Sequence, residues 1–144
     1  MKSTSTLLTV CLSTLLCGCA LNYENVSKES EYAQLPNTRF TLNTRMYISG
    51  VNLPPGYGKA IHIYIIDPMH PSWTGPEVIT RDTLQAGTIV TIQSIRRSIN
   101  DVFFEGKSIQ AVVAVEPYNK TVNVPIVIDL KYINSTNNYM RKVN

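Results

Sequence analysis

The sequence predicts a small all-β domain, either an antiparallel barrel or a sandwich. Apolar residues recur with a two-residue period through residues 39–133, as they do in strands with one buried face. Glycine, proline, asparagine and aspartate interrupt these stretches about every 8 to 12 residues. No stretch carries the apolar spacing of an amphipathic helix. Together these observations favour packed strands over helix-containing folds.

Six stretches are predicted to be strands, with turns between them. They are residues 39–51, 60–66, 77–80, 88–97, 107–115 and 121–133. A brief apolar piece at 102–104 lies between the fourth and the fifth of them. Apolar residues on both faces of 60–66 predict a central position in the sheet. Residues 81–87 are predicted to be a turn. Pro125 has no N–H to donate to the hydrogen-bond ladder of a sheet, so the stretch 121–133 is predicted to be an edge strand or to contain a bulge.

One stretch resembles a known fold. Residues 84–95 read L-Q-A-G-T-I-V-T-I-Q-S-I and resemble the turn and long strand of SH3-like barrels, where a glycine lets the chain enter the strand. The resemblance covers a dozen residues and implies a barrel rather than a flat sandwich. A fold of this kind implies no particular activity.

The N-terminus has the pattern of an export signal. Lys2 precedes an apolar segment over residues 7–16. A helix of that length rises about 15 Å, which is half the thickness of a bilayer core of about 30 Å, so a signal peptide is favoured over a permanent span. An ordinary secretory signal cleaved near Ala20 is one interpretation of this pattern.

The end of this segment favours a second interpretation. Leu16, Cys17, Gly18 and Cys19 resemble the lipobox of bacterial lipoproteins. The resemblance implies a cleaved signal peptide over residues 1–18 and a Cys19 that carries fatty acids such as palmitate. Because no aspartate follows Cys19, it also implies the outer membrane, with the domain facing the periplasm.

Composition then narrows the classes of function. Loss of Lys2 with the signal would leave 12 basic and 10 acidic side chains, a net charge of +2 that argues against nucleic acid as a partner. All three cysteines lie at or before position 19, so the mature domain has no thiol pair and folds by packing alone. One domain is expected over residues 39–133.

Polar segments flank this domain. Residues 19–38 are predicted to be a flexible tether that holds the domain about 20 to 25 Å from the membrane. Residues 134–144 are predicted to be a frayed polar tail. The tether allows one helical turn over residues 29–35.

Catalytic and metal chemistry have little support. His62, Asp67 and His70 are the residues that suit zinc, but a histidine on a strand is ordinary, and neither a metal nor another cofactor is expected. The mature chain has no free thiol and no G-x-S-x-G motif. The acidic side chains nearly all lie at predicted turns, where a solvated charge is ordinary; they are Asp67, Glu77, Asp82, Asp101, Glu105, Glu116 and Asp129. The protein is therefore predicted not to be an enzyme.

Recognition has better candidates. Trp73 lies in a loop with three prolines, beside Met69 and His70, and Tyr57 lies in the preceding P-P-G-Y-G loop. Aromatic side chains on loops give a large contact area at low entropic cost, so these four residues are predicted to bind a partner. Alternatively, Trp73 caps the open end of a barrel. Arg96 and Arg97 form either a basic corner or a solvated strand end.

These observations predict a non-enzymatic outer-membrane lipoprotein that serves as an assembly or accessory binding subunit of a cell-envelope complex, such as a secretion or pilus system. The alternative is a protective lipoprotein: a hydrolase inhibitor, an immunity protein or an exclusion factor against phage or plasmid entry. A third hypothesis, a carrier of metal or a small ligand, requires His62 and His70 together.

Overall fold

The computed structural model describes residues 22–52, 59–69, 75–99, 108–118, 122–134, 136 and 138–143, and their fold is all-β as predicted. Nine strands form one sheet, and a single helical turn interrupts them. The elements are β1 (Tyr23–Asn25), β2 (Arg39–Leu42), β3 (Met46–Val51), β4 (Ile63–Asp67), β5 (Val78–Leu84), β6 (Ile89–Ser98), β7 (Ile109–Glu116), β8 (Ile126–Asp129), α1 (Leu130–Ile133) and β9 (Met140–Lys142).

The sheet is antiparallel apart from one pair. Neighbouring strands follow the order β5, β3, β4, β8, β7, β6, β2, β9, and only β4 and β8 run parallel. The ten-residue strand β6 pairs along one side with two short strands: β2 lies against its first half and β1 against its last three residues. Strand β6 therefore connects both N-terminal strands to the rest of the sheet.

The connection between β2 and β3 shows that the sheet curls. These strands are five positions apart in the sheet order, which is about 24 Å across a flat sheet. Leu42 and Met46 are only four residues apart along the chain, so they lie within about 14 Å of each other. The two halves of the sheet therefore fold toward each other. This curvature is common to barrels and to sandwiches, and the SH3-like barrel remains a prediction.

The inner face of the curled sheet holds one continuous core. Alternate residues of β3, β6, β7 and β8 point into it, with the two-residue period that the sequence predicts. Its fully buried side chains include Met46, Ile48, Ile66, Val90, Ile92, Ile95, Ala111 and Ile128. Helix α1 and strand β9 add Leu130, Ile133 and Met140 to the same core.

A second, smaller cluster lies on the opposite face. Val51, Ile63 and Val127 are buried there, with Ile65 and Val112 packed against them. Strand β4 is thus apolar on both faces and lies between β3 and β8. The predicted central position of this strand is confirmed.

The predicted strand over residues 39–51 is two strands. Polar residues 43–45 form a turn between β2 and β3, and the N–H of Asn43 donates to the carbonyl of Tyr139 at 2.9 Å. The alternation continues in phase across this turn, so the hydrophobic pattern does not reveal the break. The predicted short strand over residues 77–80 instead continues to Leu84, so the predicted turn over residues 81–87 begins only after that residue. Gly87, with a φ of 91°, lies in this turn, which precedes β6.

The predicted strand over residues 121–133 is wrong in length and in position. Only Ile126–Asp129 is a strand, and β8 is central rather than an edge. Pro125 lies just before the strand, where its missing N–H removes no ladder bond, and its carbonyl accepts the N–H of Tyr64 at 2.9 Å. Asp129 then caps α1, so Leu130 and Tyr132 belong to a helical turn.

The predicted tether is part of the folded domain from residue 22 onward. Strand β1 pairs with β6, and Val26 and Tyr32 are buried in the main core. A hydrogen-bonded turn follows, in which the N–H of Ala33 donates to the carbonyl of Glu29 at 2.9 Å. The sequence hides this because the few apolar residues of the segment are widely spaced.

The predicted frayed tail is also folded. Strand β9 pairs with β2, and Met140 is buried. The carbonyl of Arg39 accepts the N–H of Val143 at 2.9 Å, which continues the pairing beyond the strand. Three residues are too few to show a reliable strand period in a sequence.

Candidate functional site

Of the residues predicted to carry the lipid or to bind a partner, only Met69 lies in the described part of the chain. Cys19, Tyr57, His70 and Trp73 lie outside the described residues. Met69 is 62% exposed, and it follows β4 by two residues. A methionine this exposed has no packing role in the core and is available to a partner.

Asp67 determines the path of the chain at Met69. It is the last residue of β4, and its Oδ1 accepts the backbone N–H of Met69 at 2.8 Å. An aspartate that accepts the N–H two residues later forms a local turn that resembles a backbone turn. The exposed methionine is therefore held at the end of a central strand.

Tyr47 lies beside Asp67 on the neighbouring strand. The two residues are register partners between β3 and β4, and Tyr47 points outward because Met46 and Ile48 point into the core. Arg45 covers the tyrosine: its guanidinium carbon is 5.6 Å from the ring centroid, and its Nη2 donates to the hydroxyl at 3.2 Å. This places a cation and an aromatic ring next to Asp67.

The parallel pairing of β4 with β8 brings a second carboxylate to the same end. Ile66 pairs with Ile128, and Asp67 and Asp129 each come one residue later. Asp129 uses both of its oxygens locally: Oδ1 accepts the N–H of Lys131 at 2.9 Å, and Oδ2 lies 3.0 Å from the Lys131 ammonium. These contacts start the helical turn α1 directly after the strand.

Helix α1 adds a second aromatic residue to this region. The half-buried ring of Tyr132 packs edge to face against Tyr139, with centroids 5.8 Å apart and planes at 84°. The Lys131 ammonium lies 4.8 Å from the centroid of the Tyr132 ring. A cation and a tyrosine therefore occur together twice around the two aspartates, once on β3 and once on α1.

The surroundings of Lys131 and Tyr132 raise the pKa of both side chains. The hydrogen bond that the Lys131 ammonium donates to the Asp129 carboxylate raises the pKa of Lys131. Burial, and then the nearby carboxylate of Asp67, raise the pKa of Tyr132 above its ordinary value. Lys131 is thus charged and Tyr132 neutral, and the positive charges of Arg45 and Lys131 balance the two aspartates.

We call this region the Met69 surface, which comprises Arg45, Tyr47, Asp67, Met69, Lys131 and Tyr132. Tyrosine, methionine and arginine are enriched at protein–protein interfaces relative to the rest of a protein surface. A surface of balanced charge with these side chains suits contact with another protein.

Comparison with known proteins gives no assignment. No protein-family model matches the chain, and no curated protein or solved structure is significantly similar to it. Within the described residues, no helix is long and apolar enough to cross a membrane.

Two members of the candidate ligand cluster, His62 and Asp67, lie apart. His62 is exposed just before β4, whereas Asp67 ends that strand, so five residues of extended chain, about 16 Å, separate them. No group of three side chains suited to hold a metal ion is found among the residues that the structure describes. His70, the third member, lies outside them.

Asp67 and Asp129 are the two predicted acidic residues that adjacent strands bring together. Each already accepts a backbone hydrogen bond, and Asp129 also pairs with Lys131. These partners give both carboxylates a structural role.

Arg96 and Arg97 are neither a basic corner nor a solvated strand end. Arg97 binds two carboxylates of the N-terminal segment, with Nη1 at 3.0 Å from Glu24 and Nη2 at 2.6 Å from Glu29. Arg96 lies 3.8 Å from the centroid of the Tyr23 ring and donates to Gln110 Oε1 at 2.8 Å. Both arginines therefore hold the N-terminal segment against β6.

Sequence reasoning missed most of the Met69 surface. Tyr47 and Arg45 belong to a stretch predicted to be an ordinary strand with one buried face, and Tyr132 belongs to the predicted strand over residues 121–133. The alternation of β3 does place Tyr47 outward, so this residue was within reach of the sequence. The nearness of Tyr132 depends on the parallel pairing of β4 with β8, which no local pattern indicates.

Proposed function

We propose that this protein is a non-enzymatic lipoprotein of the bacterial outer membrane that binds another envelope protein through the Met69 surface. The lipobox resemblance at residues 16–19 supports the membrane anchor. The protein would act as an assembly or accessory subunit of a cell-envelope complex, such as a secretion or pilus system.

The exposure of Met69 is the observation that carries the proposal. Met69 is 62% exposed two residues after a central strand, and Asp67, which accepts its N–H, is the register partner of Tyr47. Methionine adapts its shape to a partner, and tyrosine adds a large rigid contact area at low entropic cost. Because the neighbouring charges balance, packing rather than long-range attraction would provide the affinity of this surface.

Site-specific photocrosslinking in cells tests the binding surface. A photoreactive amino acid replaces Met69 in the full chain, and a matched variant carries it at Ala86, an exposed residue in the turn between β5 and β6. We expect one recurring envelope protein to crosslink at position 69 and not at position 86. The same crosslinks from both positions would contradict a specific surface.

A substitution pair then tests whether the surface contributes affinity. Met69→Asp adds a charge to the contact. We expect it to reduce co-purification of the partner identified by crosslinking about tenfold or more, whereas Ala86→Asp leaves co-purification unchanged. Both residues are exposed, so both variants are expected to fold. Equal co-purification with the two variants would place the partner elsewhere on the domain.

The membrane anchor requires its own experiment. Mass spectrometry of the membrane-extracted protein is expected to find a chain that begins at an acylated Cys19, and a Cys19→Ala variant is expected to lack this species. An unacylated chain that begins near Ala20 would contradict the lipoprotein and indicate a secreted or periplasmic binder.

A further inference from the structure

The anchor leaves almost no chain between the lipid and the folded domain. Two residues, Ala20 and Leu21, lie between Cys19 and Asn22, and the three Cα-to-Cα steps of a fully extended chain reach at most about 11 Å. At Asn22 the chain is already bound to β6, because its carbonyl accepts the N–H of Ile99 at 2.9 Å. With the signal removed at Cys19, Asn22 is thus about 11 Å or less from the acylated residue.

The side chains at this point suit the surface of a bilayer. Ile99 is 55% exposed although it is a large apolar residue. Tyr23 is half-buried, and the Arg96 guanidinium lies 3.8 Å from the centroid of its ring. Tyrosine and arginine both combine an apolar body with a polar end, which is why they occur where a protein meets lipid headgroups.

Charge does not oppose this placement. The two acidic side chains nearest to it, Glu24 and Glu29, both pair with Arg97. Arg96 and the exposed Lys28 add positive charge close by. The exposed Glu31 offsets this charge, so Lys28, Arg96 and Arg97 balance three glutamates and this part of the molecule has no net charge that would repel anionic headgroups.

We propose that Asn22, Tyr23, Arg96 and Ile99, which we call the anchor end, lie on the bilayer surface with the Ile99 side chain among the lipid headgroups. The proposal rests on the acylation of Cys19 proposed above. It commits to lipid rather than to a protein as the partner of this end. It also replaces the predicted 20 to 25 Å of tether with direct contact between domain and membrane.

Depth-dependent fluorescence tests this placement. Ile99→Cys, carrying an environment-sensitive fluorophore, is purified as the acylated full-length protein and placed in phosphatidylethanolamine–phosphatidylglycerol vesicles that contain a nitroxide-labelled lipid. Ala86→Cys is the matched control, because the ten residues of β6, about 30 Å, separate the two positions. The acylated Cys19 sulfur does not react with the fluorophore, so each variant carries one label.

We expect the label at position 99 to shift its emission to the blue and to be quenched several-fold more than the label at position 86. Equal quenching at both positions in a protein shown by mass spectrometry to be acylated would overturn the contact while leaving the lipoprotein proposal intact. A chain without acyl groups would overturn both. Strong quenching at 99 in vesicles that have only the acylated protein would exclude a protein partner as its cause.

Discussion

Arg97 binds the N-terminal segment to the longest strand through two carboxylates. Its hydrogen bond holds the pKa of Glu29 below the ordinary value of 4.5. A carboxyl with a lowered folded-state pKa stabilises the fold above its unfolded pKa, and this stabilisation is lost as the pH falls through the folded value. We predict that Glu29→Gln lowers the melting temperature at pH 7, and that the difference from the unmodified protein shrinks as the pH falls below about 4.5.

Glu116→Gln is the control for this prediction. Glu116 lies 3.9 Å from Arg39, and both side chains are more than half exposed, so the substitution is expected to change stability little at any pH. Thermal unfolding of the three proteins between pH 3 and pH 7 measures the effect. A Glu29→Gln difference that does not depend on pH would show that the ion pair does not stabilise the fold.

The contact between the N-terminal segment and β6 has a serine on each side, and these two serines give a second prediction at the residue scale. Ser98 is 2% exposed, and its buried hydroxyl has no hydrogen-bond partner among the described residues, whereas Ser27 Oγ accepts the N–H of Ile95 at 2.7 Å. A buried hydroxyl without a partner costs about 1 to 3 kcal/mol, and removing one partner of a bond leaves the other unsatisfied at a similar cost.

We therefore predict opposite signs for the two substitutions. Ser98→Ala is expected to leave the free energy of unfolding unchanged or to raise it by about 1 kcal/mol, and Ser27→Ala to lower it by about 1 kcal/mol. Denaturant unfolding of both variants measures this. A clear loss of stability in Ser98→Ala would mean that the Ser98 hydroxyl has a bonding partner after all.

Strand β9 makes a prediction at the scale of the element. Because Met140 is buried where this strand pairs with β2, Met140→Ala removes buried apolar volume and is expected to lower the free energy of unfolding by about 2 kcal/mol. Arg141→Ala, one residue later and exposed, is expected to change it by less than about 0.5 kcal/mol. Equal and negligible effects would restore the frayed tail that the sequence predicts.

The predicted elements were most accurate for the two longest strands, whose bounds turn residues mark in the sequence. Strands β6 and β7 lie within two residues of their predicted bounds, and Ile109, Ala111, Val113 and Val115 share the core face as expected. The failures occur where the period continues through a break. Asn43 begins a turn without a change of phase, and Asp129 starts a helical turn inside an unbroken alternation.

The candidate site was harder to predict from the sequence than the fold, and for a different reason. Local patterns place Tyr47 outward and Met69 in a loop, but they do not determine which strands are neighbours. Contact between β4 and β8 joins residues more than 60 positions apart along the chain. This pairing brings Asp67 beside Asp129 and Tyr132, so only a structure assembles the Met69 surface.

At the scale of the whole molecule, the polar N-terminal segment from residue 22 onward is a structural part of the domain rather than the spacer that the sequence predicts. Val26 and Tyr32 fill the core, and Arg97 fixes the two glutamates beside them. A lipid anchor at Cys19 would then determine the orientation of the domain as well as its location. The height of the domain above the membrane would follow from the two residues between Cys19 and Asn22 rather than from the predicted tether over residues 19–38.

This dependence on chain length gives the last prediction. Ten glycine and serine residues inserted between Leu21 and Asn22 would add a flexible segment with a mean reach of about 17 Å. Because the insertion lies outside the folded domain, we expect the melting temperature to stay unchanged while the nitroxide quenching at position 99 falls to the level at position 86. The same insertion after Ala86 is the control, and it should leave the quenching at position 99 unaltered. Persistent quenching with the lengthened anchor would mean that Ile99 and Tyr23 hold the domain on the bilayer by their own affinity, and that the short connection merely accompanies the contact.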